Sequence, residues 1–274
     1  MLALQRWTLR MELLLPPGSV PPSVSGGVCT PAEESRYRVF GAQLIAEMGF
    51  LLRLPQAATA TAQALLQRFL HRVSLREADV HHVALAAVFL STKLEECSSP
   101  VTQMRDLINV CHALRARRLG REPRLLQLGG PLYMRWKEAL IHTERRMLKE
   151  LGFQVYAGVC RQHAHKFLLY FVRLLGGGAE LAQAAWSHLN DSLHRDLCLR
   201  HPPEVIACAA IYLAARRTGF ALPQHVPWSE VFGARIEVVE DVAGDILELY
   251  DEGQANPQWL PSLREGSVEG EDDA

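Results

Sequence analysis

Two stretches of this chain are apolar on every side of a helix, so each has to be wrapped by other helices. Val83–Lys93 reads VALAAVFLSTK and Ile206–Arg216 reads IACAAIYLAAR. A helix with no polar face is a central helix or a membrane span. The longest uninterrupted apolar run, Val205–Ala215, falls well short of the ~20 residues that cross a bilayer. The two stretches also match each other at a shift of 123 residues, with identities at Ala84/Ala207, Ala86/Ala209, Ala87/Ala210 and Leu90/Leu213. The same shift places Leu66 on Leu189, Leu70 on Leu193, His71 on His194, Arg72 on Arg195 and Pro100 on Pro223. One register held over two helices and a loop is the mark of a duplicated unit.

Around these runs the periodicity predicts helices. In the first copy they cover Arg36–Leu52, Gln56–Arg72, Asp79–Glu96, Pro100–Leu114 and Leu132–Leu151, the last closed by Gly152. In the second copy they cover His165–Leu175, 179–195, 203–217, roughly 227–233, and 236–250. The expected organisation is a leader over 1–32, a first unit over 33–156, a second over 163–250 and an acidic tail over 251–274. Five prolines, three glycines and three serines within residues 16–31 read as a loop or a disordered leader. The tail has no periodicity and is expected to be disordered.

A loop with five arginines, Arg115–Pro131, is expected in the first copy alone, and beyond it the shift between copies falls to 98. At that shift Ile141, Glu144, Leu148 and Leu151 align with Val239, Val242, Ile246 and Leu249. The stripe is all apolar in the second copy and carries one carboxylate in the first. A carboxylate on a buried stripe costs several kcal/mol unless a partner satisfies it. Glu144 is therefore paired internally or lines a groove that another molecule closes. Lys93 is the first charge after the apolar run, one turn beyond Leu90. Its plainer reading is a lysine that snorkels from a buried helix.

Composition narrows the classes. Charged residues nearly balance, 29 basic against 30 acidic, so no global field draws the chain onto nucleic acid or an anionic membrane. Six cysteines, none in a CxxC pair, read as reduced thiols of a cytosolic or nuclear protein. Arg6, Arg10 and Glu12 interrupt the apolar N-terminus, which argues against a signal peptide. No GxxxxGK, GxSxG or HExxH occurs, and no enzyme site or cofactor is expected.

The motifs carry a resemblance. LSTKLEE at 90–96 and HTERRMLKELGF at 142–153 resemble the ends of the third and fifth helices of a cyclin box. The fold this implies is all-α, two tandem five-helix cyclin boxes. GFLLRLPQAATATAQALLQRFLH, MRDLINVCHALR, ERRMLKELGF, NDSL, ACAAIYLAAR and EVFGA resemble the L-type cyclins in order and spacing, over roughly residues 8–250. The Asp that pairs with a helix-one Arg in cell-cycle cyclins looks like Gln67 here. L-type cyclins continue into an Arg/Ser-rich tail, and this sequence ends at Ala274 without one. Ala157–Gln162 looks like a short insertion between the boxes.

The resemblance implies a nuclear regulatory subunit that activates a cyclin-dependent protein kinase, of the PITSLRE type, in transcription and pre-mRNA splicing. Transcription or splicing factors are further expected partners; direct nucleic-acid contact is not. The kinase's regulatory helix would dock between helices three and five, with Leu90 and Leu94 on one wall and Leu148, Phe153 and Val155 on the other. Lys93 would donate to that helix's backbone carbonyls. Glu144 would accept from its amides while orienting Lys93, so that each charge finds its partner only in the complex. In the second box Arg216 and Val242 stand at these places, and no kinase docking is expected there. Other readings remain: a two-repeat DNA-binding core of the TFIIB type, or a truncated competitor that binds a kinase without activating it.

Three further signals have plain readings. Asp79 is an N-cap, and His81 and His82 are expected at the surface. Cys160, His163 and His165 lack a fourth ligand at metal spacing, and the histidines are expected to be solvated or capping. The arginines at 115, 117, 118, 121 and 124 are expected in a solvated loop.

Overall fold

The computed structural model describes residues 14–16, 18–97, 103–155, 163–223 and 227–251. Every regular element among them is helical: α1 (Pro22–Ser25), α2 (Pro31–Leu51), α3 (Gln56–Leu70), α4 (Val80–Leu94), α5 (Met104–Arg118), α6 (Pro131–Glu150), α7 (His165–Leu174), α8 (Ala179–Ser192), α9 (Leu197–Arg200), α10 (Pro203–Thr218), α11 (Trp228–Val231) and α12 (Ile236–Asp251). A 3₁₀ turn, Leu75–Glu77, leads into α4. The two apolar stretches are the central helices. Helix α4 packs against α2, α3, α5 and α6, and α10 packs against α7, α8 and α12. Ala84 to Val88 have no accessible surface at all.

The duplication is visible in three dimensions. Helices α3 and α8 begin 123 residues apart, as do α4 and α10, and the 3₁₀ turn falls on α9 at that shift. Even the left-handed residues that stop the helices coincide. Arg53 (φ 50°) corresponds to Gly176 (φ 73°), and Glu96 (φ 49°) to Gly219 (φ 70°). Glycine fits that conformation without strain, whereas the side chains of the first copy bear roughly 1–2 kcal/mol each. Arg72 and Arg195, matched at the shift of 123, meet residues matched at 98: Arg72 Nη1 donates to the Glu150 carbonyl at 3.1 Å, and Arg195 Nη1 pairs with Glu248 Oε2 at 3.0 Å. The fourth helix breaks the symmetry: α5 has 15 residues and α11 has 4.

Several boundaries differ from the periodicity. Helix α2 starts five residues before Arg36 because Thr30 and Glu33 form a capping box ahead of Pro31. The segment read as leader is folded in part. Ser23 is fully buried, and its Oγ accepts from Leu75 N at 2.8 Å. Leu15 N donates to Leu199 O at 2.8 Å, so the segment straps both copies. Helix α5 runs through Arg118, and the connection to α6 is residues 119–130 only. Its last-turn arginines suit the negative helix end. Arg118 also pairs with Glu47 at 2.6 Å and stacks 4.4 Å from the Phe40 ring, so it is not a solvated loop residue. Asp79 does cap α4, accepting from His81 N at 2.7 Å. The two histidines are half-buried, His81 against Phe40 and His82 against Trp136.

Polar groups stitch the copies together. Arg38 Nη1 donates to Gln67 Oε1 and to the Gln67 carbonyl, both at 3.0 Å, and its Nε pairs with Glu34 one turn back. Gln67 Nε2 in turn donates to the carbonyls of Leu193 (3.3 Å) and His194 (3.0 Å) of the second copy. An aspartate could accept from Arg38 but could not donate across the seam; an amide does both. Nearby, His71 Nε2 meets Asp196 Oδ2 at 3.0 Å and Arg200 Nε donates to Asp196 Oδ1 at 2.9 Å. Burial opposes the Asp196 charge, but His71, Arg200 and Arg38 together hold its carboxyl well below the usual range.

The linker histidines are half-buried and hydrogen-bonded within this seam. His163 Nε2 lies 2.8 Å from Thr61 Oγ1, whose hydroxyl donates to Glu95 Oε1 at 2.7 Å. His165 Nε2 lies 2.8 Å from Asn190 Oδ1, which also accepts from Gln56 Nε2 at 2.9 Å. Burial, with His165 alongside, pushes the His163 imidazole down to about 4. An unfolded histidine titrates near 6.5. Between those values the unfolded chain takes up a proton that the folded chain refuses. Stability is therefore lost as pH falls from about 6.5 toward 4, by roughly 2–3 kcal/mol from this residue. Urea unfolding across that range should show a shallower pH slope for His163→Gln than for the wild type; equal slopes would refute the assignment.

Candidate functional site

The last turn of α4 is where its apolar surface ends. Leu90 is buried, Leu94 is half-buried, and the Lys93 side chain is 50 % exposed. Lys93 Nζ lies 2.6 Å from Glu144 Oε1 on α6, whose side chain is 12 % exposed. The ammonium also sits 3.8 Å from the centroid of the Phe89 ring. The two charges thus satisfy each other in the free chain, which corrects the expectation that each finds a partner only in a complex.

The position of Glu144 is corrected as well. The core face of α6 is Tyr133, Trp136, Leu140 and Met147, continued by Leu151 just past its end. Ile141, Glu144 and Leu148 are only half-buried, while Val239, Val242 and Ile246 of the second copy are fully buried. Helix α6 packs on α4 and α5, and α12 packs on α10, α8 and α11. The positions aligned with the second copy's core stripe are half-buried in the first, where Glu144 lies beside Lys93 of α4.

Past α6 the chain makes an unusual turn. Gly152 (φ 60°) and Phe153 (φ 58°) are both left-handed. For a bulky residue this is strained, by about 1–2 kcal/mol. Phe153 is 72 % exposed, while Val155 folds back against the core. The turn is held from α3: Arg68 Nη2 donates to the Gln154 carbonyl at 2.8 Å, and Arg72 Nη1 to that of Glu150 at 3.1 Å. Sequence reasoning missed Arg68, Arg72 and Phe89. Arg72 had a signal, its match to Arg195. Replacing Phe153 by glycine should relieve the strain and raise the stability of the isolated chain by about 1 kcal/mol, or about 2–4 °C in Tm. A lower melting temperature by calorimetry would show instead that the exposed ring supports the fold.

The second copy holds a related arrangement that the sequence did not reveal. Arg216 stacks 5.1 Å from the Tyr212 ring centroid, and its Nη2 donates to the Tyr212 hydroxyl at 2.8 Å. That hydroxyl donates to Glu240 Oε1 at 3.0 Å. The carboxylate arrives two residues before Val242, through a bridging hydroxyl and without a direct ion pair. Exposed Arg217 stands where the first copy has Leu94, so the apolar wall is lost there.

Other surfaces carry less. A cleft of about 440 Å³ opens on the other flank of α6, lined by Glu77, Asp79, His82, Arg135, His142 and Arg146 among others. It includes neither Lys93 nor Glu144, and the Arg146–Glu77 pair spans it. Among the described residues no three His, Cys, Asp or Glu side chains are placed to hold a metal; Cys160 lies outside them. No described helix is long and apolar enough to cross a membrane.

Comparison with known proteins decides the family. Residues 28–156 match the model of the cyclin N-terminal domain, and residues 163–246 that of the Cyclin-T2-like C-terminal domain. The chain belongs to the cyclin family. It is 40 % identical to human Cyclin-L2 over 250 residues, 90 % of this chain and 46 % of that protein. It is 41 % identical to chicken (Gallus gallus) Cyclin-L1 over 231 residues, 84 % of this chain and 42 % of that one. This cyclin therefore spans less than half the length of these relatives. A chain in the crystal structure of the yeast RNA Pol II CTD kinase CTDK-1 complex superposes with a TM-score of 0.63 at 17 % identity, covering 82 % of this chain and 73 % of that one. A chain of the Chaetomium thermophilum CAK complex bound to ATP-gamma-S gives 0.57 at 18 % identity, covering 96 % and 80 %. At such identities the likeness establishes the fold alone.

Proposed function

We propose that this chain is a regulatory subunit that binds and activates a cyclin-dependent protein kinase, of the PITSLRE type, in the nucleus, where the complex acts in transcription and pre-mRNA splicing. The observation that carries the reading is the Lys93–Glu144 pair, which joins the end of α4 to α6 with the Lys93 side chain half exposed. An ion pair half open to water is worth only about 0–1 kcal/mol to the fold. Its value lies in what happens when a partner covers it. The family relationship and two superposed chains from kinase complexes support the same reading.

In this reading an amphipathic kinase helix lays its apolar face between Leu90 and Leu94 on one side and Leu148, Phe153 and Val155 on the other. Lys93 donates to carbonyls of the docked helix. Glu144 orients Lys93 and accepts from exposed amides. No catalytic group comes from the cyclin; docking shifts the kinase toward the conformation in which its own catalytic pair is assembled. The strained, exposed Phe153 is a contact held ready for a partner.

Capture from nuclear extract, identification of the bound kinase and its assay would test the proposal. Lys93→Ala and Glu144→Gln should each weaken the captured complex by about 2–5 kcal/mol and abolish activation, with melting temperatures near wild type. Undiminished kinase activation by the double variant would defeat the reading. Salt-dependent DNA binding with no kinase captured would favour the TFIIB-type alternative.

A further inference from the structure

Phe89 was assigned no role from the sequence, yet it lies under the charge on which docking depends. It precedes Lys93 by four residues, so ring and ammonium share one face of α4. The Nζ-to-centroid distance is 3.8 Å, and Glu144 Oε1 approaches the same ammonium at 2.6 Å. The ring is half-buried and packed against the core, which fixes its plane. A half-exposed lysine with four rotatable bonds otherwise samples many rotamers. The same stacking recurs 123 residues on, where Arg216 lies over Tyr212. There a tyrosine ring stands at the position of Phe89.

We propose that Phe89 is a positioning residue of the kinase-docking site: its ring face, together with Glu144, holds Lys93 in the conformation that engages the partner before the partner arrives. The contribution has two sources. The ammonium loses less conformational freedom on binding, because it is already ordered. The cation–ring attraction also strengthens as the docked helix removes water from the site. The inference rests on the docking reading above, and its test separates the two.

The test titrates the full chain with a purified PITSLRE-type kinase. Phe89→Leu keeps the apolar bulk but removes the ring face, and should weaken binding about three- to ten-fold. Phe89→Tyr should stay within about two-fold of wild type. In a Lys93→Met background, Phe89→Leu should cost nothing further, because its effect runs through the ammonium. In the free chain the Lys93 ε-methylene protons should resonate upfield through the ring current, and Phe89→Leu should remove that shift. Wild-type affinity for Phe89→Leu would overturn the proposal. So would an undiminished loss in the Lys93→Met background, which would make the ring an ordinary wall contact. If Lys93→Met alone bound as tightly as wild type, the docking reading would fail, while the proton shift would still report whether Phe89 orders Lys93.

Discussion

Helix α4 has no polar side to give to water before Lys93, and that constraint shapes everything around it. Fully burying a Leu or Val side chain is worth roughly 1.5–3 kcal/mol, so a helix like this forms only inside a jacket. Helices α2, α3, α5 and α6 supply the jacket. A helix enclosed on every side can show charge only at its ends. One end is closed by the Asp79 cap. The other emerges at Lys93, beside α6. The Lys93 charge at the rim of the bundle is therefore a consequence of the core.

What surrounds Lys93 is not optimised for stability. The pair with Glu144 adds little to folding, Phe153 keeps a large ring in water, and its backbone sits in a left-handed conformation. Local departures from stable geometry collect where function needs them, and the surrounding structure holds them in place. Here the support is specific: Arg68 and Arg72, both from α3, bond the carbonyls of the turn that carries Phe153.

The sequence revealed those features of the fold that depend on apolar periodicity. Two enclosed helices and a constant register of 123 residues are recovered in the starts of α3 and α8 and of α4 and α10. Features that depend on polar partners were less visible. The start of α2 follows from a reciprocal cap between Thr30 and Glu33, and the end of α5 from arginines that look like a loop until Glu47 and Phe40 are seen beside Arg118. His163 reads as a solvated linker residue because nothing local announces Thr61, which lies 102 positions away. Lys93 and Glu144 were legible as odd charges in apolar company. Their direct contact, the ring beneath Lys93 and the half-open position of Glu144 were not, because they depend on how side chains pack where α4 meets α6.

The fifth helices show how a duplicated unit comes to hold two unlike clusters. In the first copy α5 has 15 residues, and positions 141, 144 and 148 of α6 are half-buried. In the second copy the fourth helix is a single turn, α12 settles against α8, and the equivalent stripe becomes core. The carboxylate then has to come from Glu240, and it reaches Arg216 only through the Tyr212 hydroxyl. The first copy thus holds a bare ion pair, and the second a bridged cluster with Arg217 where the first has Leu94. Both copies set a cation beside an aromatic ring four residues before it; in the first the carboxylate meets the cation directly, and in the second it does so through the ring's hydroxyl.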